Sequence, residues 1–459
     1  METPLYTALT DYQKKKYASF HTPGHKNTIS FLKYNLYDLD FTELPDTDSL
    51  FEAEGCILKA EQAAAKAFST LLCVLSAGGC TMCIQGMLRL AAPSGGKLVC
   101  GRIIHRSAVN TMALLGIDPV WVMPEPNAGE GLAGRITPEG VRRALEKNPE
   151  AKGVYLTSPD YYGVICDIQG IACVCKEYGV PLLVDNAHGA HLGYLSENLH
   201  PIHLGASMAA CSAHKTLPVL TGGAWLQIND SRYLEGVKEA MSLFGSTSPS
   251  YPVMASLDLC RAWLEEEGQK AFQTLERRVG AVKKLAAAKG LGIPEGLTDP
   301  VRITLNTAKI GLTGQKAAQG FRECGVELLR VEHAHIGGAE AQVRGLEHHL
   351  GDGDGRVNLA VVLAVVLPFP GGLRVVCHQQ HHRRMEVSAG AAVHLFQRLR
   401  ALEHKDALGL EVMGSGGIAA GLQHGGELLR LHGAVAEFPQ RIALRGQFRK
   451  IHGDASFLM

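Results

Sequence analysis

The stretch Met208-Ala-Ala-Cys-Ser-Ala-His-Lys215-Thr-Leu-Pro218 decides how the rest of the chain is interpreted, because an apolar run leads directly into a polar turn that contains a lysine. Residues 208–211 are typical of a short buried strand. A lysine just after such a strand can be shielded from water, which favours the neutral amine that attacks an aldehyde to form a Schiff base. Ser212 and His214 would then be polar partners for a phosphate group. Taken alone, the stretch could equally hold an ordinary exposed lysine.

An acidic residue in a similar position favours the interpretation of Lys215 as a Schiff-base lysine over an ordinary exposed one. About thirty residues earlier, Asp185 ends another apolar run, in the sequence Val184-Asp185-Asn186-Ala187-His188. An aspartate is more often a helix cap or a turn former at such a place. It can also pair with a protonated pyridine nitrogen and keep a cofactor ring an effective electron sink. We therefore expect Asp185 to be the partner of a cofactor ring.

A glycine-rich segment, Ser76-Ala77-Gly78-Gly79-Cys80-Thr81, precedes a helical stretch at residues 82–90. Glycine lets the backbone approach a ligand, and amides at a helix N-terminus together with a threonine hydroxyl can bind a phosphate. Cys80 and Cys83 form a Cys-x-x-Cys pair that could instead be a metal or redox site, but no second such pair supports this alternative. The phosphate segment, the acid and the lysine, in this order, are more specific together than separately.

Alternation of apolar runs and amphipathic stretches between residues 95 and 228 predicts an α/β fold with a mostly parallel central sheet and flanking helices. Thr137 followed by Pro138 predicts the start of a helix, and Gly179 predicts the end of the next one. Residues 256–290 are predicted to be largely helical. The expected strands are Lys97–Cys100, Pro119–Met123, Gly153–Thr157, Pro181–Val184, Met208–Ser212 and Ala224–Ile228.

The composition narrows the class of protein. The chain has 459 residues, 46% of them hydrophobic, and 45 basic residues balance 45 acidic ones. This suits a globular protein of two or three domains with a small-molecule substrate, and provides no basic excess for binding nucleic acid or a membrane surface. The first residues lack the apolar core of a secretory signal, the most apolar run is too short to span a membrane, and the 12 cysteines form no disulfide framework. We therefore expect a cytoplasmic protein.

The composition changes after about residue 329. Residues 331–459 contain 12 of the 20 histidines and no Thr, Tyr or Trp. Two interpretations remain open, a histidine-rich metal-binding segment or a stretch whose coding frame has shifted; we favour the second, because the missing residue types characterise the whole segment and not a site. Inspection of the coding DNA would distinguish them. We assign no metal site.

Several further motifs follow the same order as in a known family. Over residues 3–328 the chain resembles the fold type I ornithine/lysine/arginine decarboxylases, particularly their shorter bacterial members. Besides the three motifs above, the resemblance rests on His21–Lys26 (HTPGHK), Phe41–Leu50 (FTELPDTDSL), His105–Ser107 (HRS), Thr157–Gly163 (TSPDYYG) and Ser246–Tyr251 (STSPSY).

The resemblance implies a pyridoxal-phosphate enzyme that decarboxylates lysine, arginine or ornithine to an amine of polyamine metabolism. Lys215 is expected to form the Schiff base, Asp185 to bind the pyridine nitrogen, His105 to stack on the ring, and His188 to lie beside the cofactor. Lys215 or His214 could return a proton to Cα. Residues matching phosphate-binding positions are Gly79, Cys80, Thr81, Ser212 and His214, and Thr247 is expected to reach the phosphate of a neighbouring subunit in a homodimer or higher homo-oligomer.

The expected organisation is an N-terminal arm (residues 1–40), a large cofactor-binding domain (41–255), a helical linker into a small domain (256–330) and the atypical C-terminal segment (331–459). Fold and cofactor alone do not determine which bond to Cα breaks, so an aminotransferase or aldolase type of reaction is an alternative. A catalytically impaired remnant is a second alternative, because the family's small domain would lie in the atypical segment.

Overall fold

The computed structural model describes residues 39–125 and 132–328, together with residue 15, residues 18–20 and the backbone of residues 364–365. They fall in the first of two units of the chain, residues 1–409; the second, residues 410–459, lies outside the described residues. The His21–Lys26 motif also lies outside them, as does the atypical segment apart from residues 364–365.

A seven-stranded sheet forms the centre of the described part. Seven of the strands in the described part of the chain form this sheet, and four others form two small pairs. In chain order, the strands are β1 (Ala18–Phe20), β2 (Leu72–Ser76), β3 (Gly96–Gly101), β4 (Ile117–Val122), β5 (Val154–Thr157), β6 (Leu182–Asp185), β7 (Met208–Cys211), β8 (Ala224–Ile228), β9 (Arg302–Ile303), β10 (Val326–Leu328) and β11 (Ala364–Val365). The central sheet has the order β2-β8-β7-β6-β5-β3-β4, in which β8 is antiparallel to both neighbours and every other pair is parallel. The predicted mostly parallel sheet is confirmed, and all six predicted strands are present.

The helices lie between and after these strands. They are α1 (Cys56–Ala67), α2 (Gly79–Ala91), α3 (Arg106–Leu115), α4 (Pro138–Lys147), α5 (Ile168–Glu177), α6 (Ala213–Thr216), α7 (Val237–Ser242), α8 (Tyr251–Trp263), α9 (Gln269–Ala288) and α10 (Gly314–Glu323). Thr137 caps α4 as predicted, since its hydroxyl accepts a hydrogen bond from the amide of Gly140 and Pro138 is the first helical residue. None of the described helices is long and apolar enough to cross a membrane.

Helices cover both faces of the central sheet. Alternate side chains of a strand point to opposite faces, so Leu183 packs in a cluster with α2 and α3, whereas Leu182 and Val184 pack in a second cluster with α4 and α5. A third cluster, which includes the buried Trp225, packs against α8 and α9. Because both faces are covered, a ligand can reach the strands only at an edge of the sheet, and in such folds it binds outside their carboxyl ends.

The segment after α8 continues through a π-helical turn, Leu264–Gly268, into α9. This confirms the predicted helical stretch, which begins five residues earlier than expected, at Tyr251. Beyond Ala288 the described chain contains β9, α10 and β10, of which β9 pairs with β11 and β10 pairs with β1. This part of the chain brings a charged residue, Arg302 in β9, into the site described next.

Candidate active site

The carboxyl ends of three parallel strands bring separate sequence motifs to one edge of the sheet. In the strand register, Thr157 at the end of β5 is paired with Asp185 at the end of β6, and Asp185 is paired with Ala210 in β7. Ser212 directly follows β7, and Lys215 lies in the helical turn α6. The motifs around Asp185 and Lys215, which the sequence separates by about thirty residues, therefore converge at the place where ligands bind in folds of this class.

Asp185 is almost fully buried, with 1% of its surface exposed. Its Oδ1 accepts a hydrogen bond from the amide of Ala187 at 3.1 Å, and its Oδ2 accepts one from the Tyr155 hydroxyl at 3.3 Å. Burial raises the pKa of Asp185, and the hydrogen bond from the amide of Ala187 opposes that rise. A buried carboxyl group of this kind is stabilised as an anion by a cationic ligand group placed next to it.

Lys215 is half-buried, and its Nζ lies 3.2 Å from Nε2 of His188. His188 is buried, and the edge of the Tyr161 ring contacts its imidazole with 5.1 Å between the ring centroids. Burial, the largest cause, and the charge of Arg302 keep the pKa of His188 well below its usual value. The imidazole is therefore neutral, and one of its two nitrogens carries a proton.

Arg302 was missed by the sequence analysis, yet it lies at the centre of the site. Its guanidinium is buried, donates to the backbone oxygen of Tyr161 at 2.8 Å and to that of His188 at 3.3 Å, and has both terminal nitrogens 3.4 Å from Nδ1 of His188. Arg302 and His188 are 114 residues apart, so no local pattern could have joined them. Asp-Pro-x-Arg at residues 299–302 carries no signal by itself.

Arg302 belongs to a buried chain of charged and polar side chains that continues through Asp299 to His191. The Nε atom of Arg302 lies 3.6 Å from Oδ2 of Asp299, whose Oδ1 lies 3.2 Å from Nε2 of His191. Although burial opposes it, the pKa of Asp299 is lowered to about 2 by His191, by Arg302 and by the amide of Val301. Because Asp299 remains ionised, it helps to hold Arg302 in place beneath His188.

Asp160 lies on another side of the guanidinium. Burial raises its pKa to about 6, while the amides of Val164 and Tyr162 and the charge of Arg302 oppose the rise. Its Oδ1 accepts hydrogen bonds from those two amides at 2.8 and 2.9 Å. The Thr157–Gly163 motif is therefore a turn organised by Asp160, and that turn carries the Tyr161 backbone oxygen that accepts from Arg302.

The glycine-rich segment forms the N-terminus of α2, as predicted. Gly79 has a φ of +73°, a conformation that favours glycine, and its amide donates to the backbone oxygen of Gly222 at 2.8 Å. Because the Gly79 amide is thus already bonded, the N-terminal amides left for an anion are those of Cys80 and Thr81. Cys80 is buried and Thr81 exposed, so the threonine also presents its hydroxyl at this helix end.

Ser212 and His105 lie at two further parts of the site. The Ser212 hydroxyl is buried and has no hydrogen-bond partner among the described residues. The side chain of His105 caps α3 by accepting from the amide of Ser107, and its imidazole is exposed. Burial of part of the ring lowers the pKa of His105, Asp185 opposes this effect, and Lys215 adds to it.

Of the other two predicted site residues, His214 lies next to Lys215 and Thr247 lies outside the cluster. His214 lies in α6 next to Lys215, is half-buried, and donates its backbone amide to Gly223. Thr247 is exposed in the segment between α7 and α8, and no side-chain hydrogen bond joins it to the other candidate residues in the described part of the chain. The structure of the single chain therefore does not bring Thr247 into the cluster.

The Phe41–Leu50 and Ser246–Tyr251 motifs contact each other. Asp48 accepts hydrogen bonds from amides at the start of α1, including those of Gly55 and Ile57, and these amides, against the effect of burial, lower its pKa to about 2. The Tyr251 hydroxyl donates to the backbone oxygen of Asp48 at 2.6 Å. This contact anchors the segment that carries Thr247 to the N-terminus of α1.

No group of three or more His, Cys, Asp or Glu side chains in the described ranges is arranged to bind a metal ion. Cys80 and Cys83 are both buried, and burial raises the pKa of the Cys83 thiol to about 12. Burial of both thiols therefore disfavours the thiolate on which thiol exchange depends.

Comparison with known proteins gives the same family as the motifs. A sequence model described as Orn/Lys/Arg decarboxylase, major domain, matches residues 3–294. Two relatives come from Bacillus subtilis strain 168. Arginine decarboxylase is 31% identical over 341 residues, covering 70% of both chains. The uncharacterized protein YaaO is 33% identical over 327 residues, covering 67% of this chain and 68% of its own.

Solved structures share the fold at lower identity. Lysine decarboxylase A from Pseudomonas aeruginosa is 18% identical with a TM-score of 0.60, and the match covers 88% of this chain and 60% of that one. SPT with its PLP internal aldimine is 15% identical with a TM-score of 0.54, and the match covers 75% of this chain and 77% of that one. The fold is thus the fold of pyridoxal-phosphate enzymes, and the chain spans less than two thirds of the lysine decarboxylase.

Proposed function

The chain belongs to the Orn/Lys/Arg decarboxylase family, and we propose that it removes the carboxyl group of a basic amino acid and releases the corresponding primary amine. Pyridoxal phosphate is the cofactor of this family and of this fold. The observation that carries the proposal is the convergence of Asp185, His188 and Lys215 at the carboxyl ends of β6 and β7.

The residues of the site fit the cofactor. The buried hydroxyl of Ser212 lacks a partner among the described residues, as expected of a group that a phosphate oxygen would satisfy. The amides of Cys80 and Thr81 supply further donors at the N-terminus of α2, where a phosphate is favoured. The buried Asp185 suits a protonated pyridine nitrogen, and Lys215 supplies the amine for the aldehyde.

The chemistry divides between the cofactor and the protein. When bound, pyridoxal phosphate supplies the electron sink that stabilises the charge left on Cα as CO2 departs. Asp185 would hold the ring nitrogen in its protonated form, and the exposed imidazole of His105 would be available to cover a face of the ring. Lys215 and His188 form a hydrogen-bonded pair that can hold a proton for return to Cα, and His214 lies beside Lys215 as a second proton donor.

The relatives support arginine as the first substrate to test. Proteins named arginine decarboxylase are 30–31% identical over 341 residues, whereas those named lysine decarboxylase are 22–27% identical over 298–317 residues. Lysine and ornithine remain within the proposal, since all three substrates share the same reacting carbon and differ in the length and end of the side chain.

The proposal predicts both cofactor attachment and amine production. Purified protein supplied with pyridoxal phosphate should show the visible absorbance of a lysine-bound cofactor, and borohydride reduction followed by peptide mass spectrometry should locate it on Lys215. Incubation with arginine should release agmatine and CO2. Lys215→Ala should abolish both results, whereas Lys176→Ala, at an exposed lysine of α5, should leave both intact.

Product analysis also tests the alternatives. A 2-oxo acid in place of an amine would indicate transamination, and an aldehyde would indicate aldol cleavage. Cofactor bound at Lys215 without any product from the three basic amino acids would contradict decarboxylation but leave the cofactor site intact. Cofactor attached to a different lysine would contradict the site itself.

A further inference from the structure

The neighbours of the His188 imidazole determine whether His188 or Lys215 donates the hydrogen bond between them. Both terminal nitrogens of the Arg302 guanidinium lie 3.4 Å from Nδ1 of His188. A guanidinium carries only donors and keeps its proton. Nδ1 can therefore only accept from Arg302, and the Nδ1 atom has no proton of its own.

The proton of the neutral ring then lies on Nε2. Burial, the largest cause, and the charge of Arg302 hold the pKa of His188 well below its usual value, so the ring has a single proton. Nε2 is 3.2 Å from Nζ of Lys215, and a protonated Nε2 can only donate in that contact. Only a neutral amine has the lone pair to accept it, and the neutral amine is the form that attacks an aldehyde.

The opposite tautomer would be costly. A proton on Nδ1 would point at the guanidinium and leave a buried N–H without an acceptor, which is unfavourable because the group has lost its water and gained no partner. The guanidinium itself cannot turn away freely, because it also donates to the backbone oxygens of Tyr161 and His188 and lies near the carboxyl groups of Asp160 and Asp299.

Other charged groups act on the same pair. His105 and His191 also lower the pKa of His188, and the Tyr161 ring makes a T-shaped contact with its imidazole. Asp185 acts in the opposite direction, since a carboxylate near Lys215 favours the ammonium form. Burial raises the pKa of Asp185, however, which weakens this opposition in the protein without cofactor.

We infer that Arg302 is a positioning residue that acts through His188: it fixes the Nε2–H tautomer, so that His188 donates to Lys215 and holds the lysine amine neutral for reaction with the cofactor aldehyde. The inference rests on the proposed function only in taking Lys215 as the cofactor lysine. In this role Arg302 acts through the imidazole of His188.

The first test measures the amine of Lys215 in the protein without cofactor. Competitive labelling with acetic anhydride over a range of pH, read by peptide mass spectrometry, reports every lysine separately. In Arg302→Met the midpoint of the pH profile of Lys215 labelling should move to higher pH. For each pH unit by which the midpoint rises, the labelling rate at neutral pH should fall about tenfold. Arg302→Lys keeps a charged donor and should restore much of the wild-type profile.

Controls separate this effect from general disturbance of the fold. The other lysines serve as internal standards in each sample, and Arg322→Met removes an exposed arginine of α10 that pairs with Glu327; it should leave the Lys215 profile unchanged. An unchanged Lys215 profile in an Arg302→Met protein with wild-type circular dichroism would overturn the inference.

A second measurement requires no folded Arg302 variant. Nitrogen NMR of the wild-type protein labelled with 15N-histidine distinguishes the two neutral tautomers, and the His188 signals are those that disappear in His188→Gln. We expect an unprotonated Nδ1 and a protonated Nε2, and the reverse assignment would overturn the inference. Both measurements use protein without cofactor, so they can succeed even if no decarboxylation is found, and can fail even if it is.

Discussion

Asp185 occupies a place where function and stability make opposite demands. Its carboxyl group is 1% exposed, and the hydrogen bonds from Ala187 and Tyr155 only partly replace the water it has lost. Burial accordingly raises the pKa of Asp185, which means that the folded protein disfavours the charged form. A bound cationic ring nitrogen would reverse this preference, as the proposed role of Asp185 requires.

Asp185→Asn tests this trade-off, because asparagine keeps the size and the hydrogen-bond acceptor but removes the charge. The protein without cofactor should melt at the same temperature or higher, while kcat should fall by about a hundredfold or more, the scale seen when one positioned electrostatic group is removed. Thermal melting and amine production measure the two effects. Asp258→Asn, on the surface of α8, is the matched control and should change neither by much; a large loss of stability in Asp185→Asn would contradict the argument.

The candidate site could be predicted from the sequence only where a local pattern carried it. Asp185 and Lys215 each follow an apolar run, and such a position predicts a side chain at the edge of a parallel sheet. Arg302 and Asp299 follow no such run, and their partners His188 and His191 are 114 and 108 residues away. Contacts of this kind depend on how β9 packs against the loop after β6, which no local spacing determines.

At the level of single elements, α4 could be predicted from a local pattern, whereas β2 depends on a contact that is distant in the sequence. Thr137 and Pro138 predicted the start of α4 correctly, because a helix cap is made by residues within one turn. The strand β2, Leu72–Ser76, was not predicted, since five mostly apolar residues before a glycine pair fit a strand and a helix equally well. Its antiparallel pairing with β8 is a contact with residues about 150 positions away.

The N-terminus of α2 allows a test at this scale. A Cβ on Gly79 would meet no atom closer than 4.0 Å, so the cost of Gly79→Ala comes from its φ of +73° and is about 1 kcal/mol in the free energy of unfolding. If the backbone relaxes to avoid this cost, the amides of Cys80 and Thr81 move. We therefore expect weaker binding of pyridoxal phosphate but unchanged binding of pyridoxal, which lacks the phosphate.

The matched control is Gly116→Ala. Gly116 has a φ of +65°, a Cβ there would meet no atom within 4 Å, and it ends α3 at the opposite end from His105. In urea unfolding, Gly116→Ala should lose about as much stability as Gly79→Ala, because the backbone cost is the same. It should bind pyridoxal phosphate like the wild type. Equal losses for pyridoxal and pyridoxal phosphate in Gly79→Ala would show that the amides at this helix end do not bind the phosphate.

At the scale of the whole molecule, the site of one subunit leaves one expected residue unused. Thr247 is exposed, lies outside the cluster around Lys215, and is carried by a segment that Tyr251 anchors to Asp48. A residue held on an ordered, exposed segment is suited to contact a second copy of the chain. We propose that two subunits form the competent unit and that Thr247 of each reaches the cofactor phosphate of the other.

Mixed dimers test this proposal directly. Thr247→Val should weaken pyridoxal-phosphate binding by about tenfold or more, the cost of one hydrogen bond to a charged group, and Lys215→Ala should abolish covalent attachment. A dimer purified through different tags on the two variants has one site with both residues intact if Thr247 acts across the interface, so that site should bind cofactor with wild-type affinity. If Thr247 acts within its own subunit, the site that retains Lys215 also carries the valine, and no high-affinity site should appear. Absorbance titration of the mixed dimer therefore decides between the two arrangements, and a tightly binding monomer in sedimentation would rule out the shared site altogether.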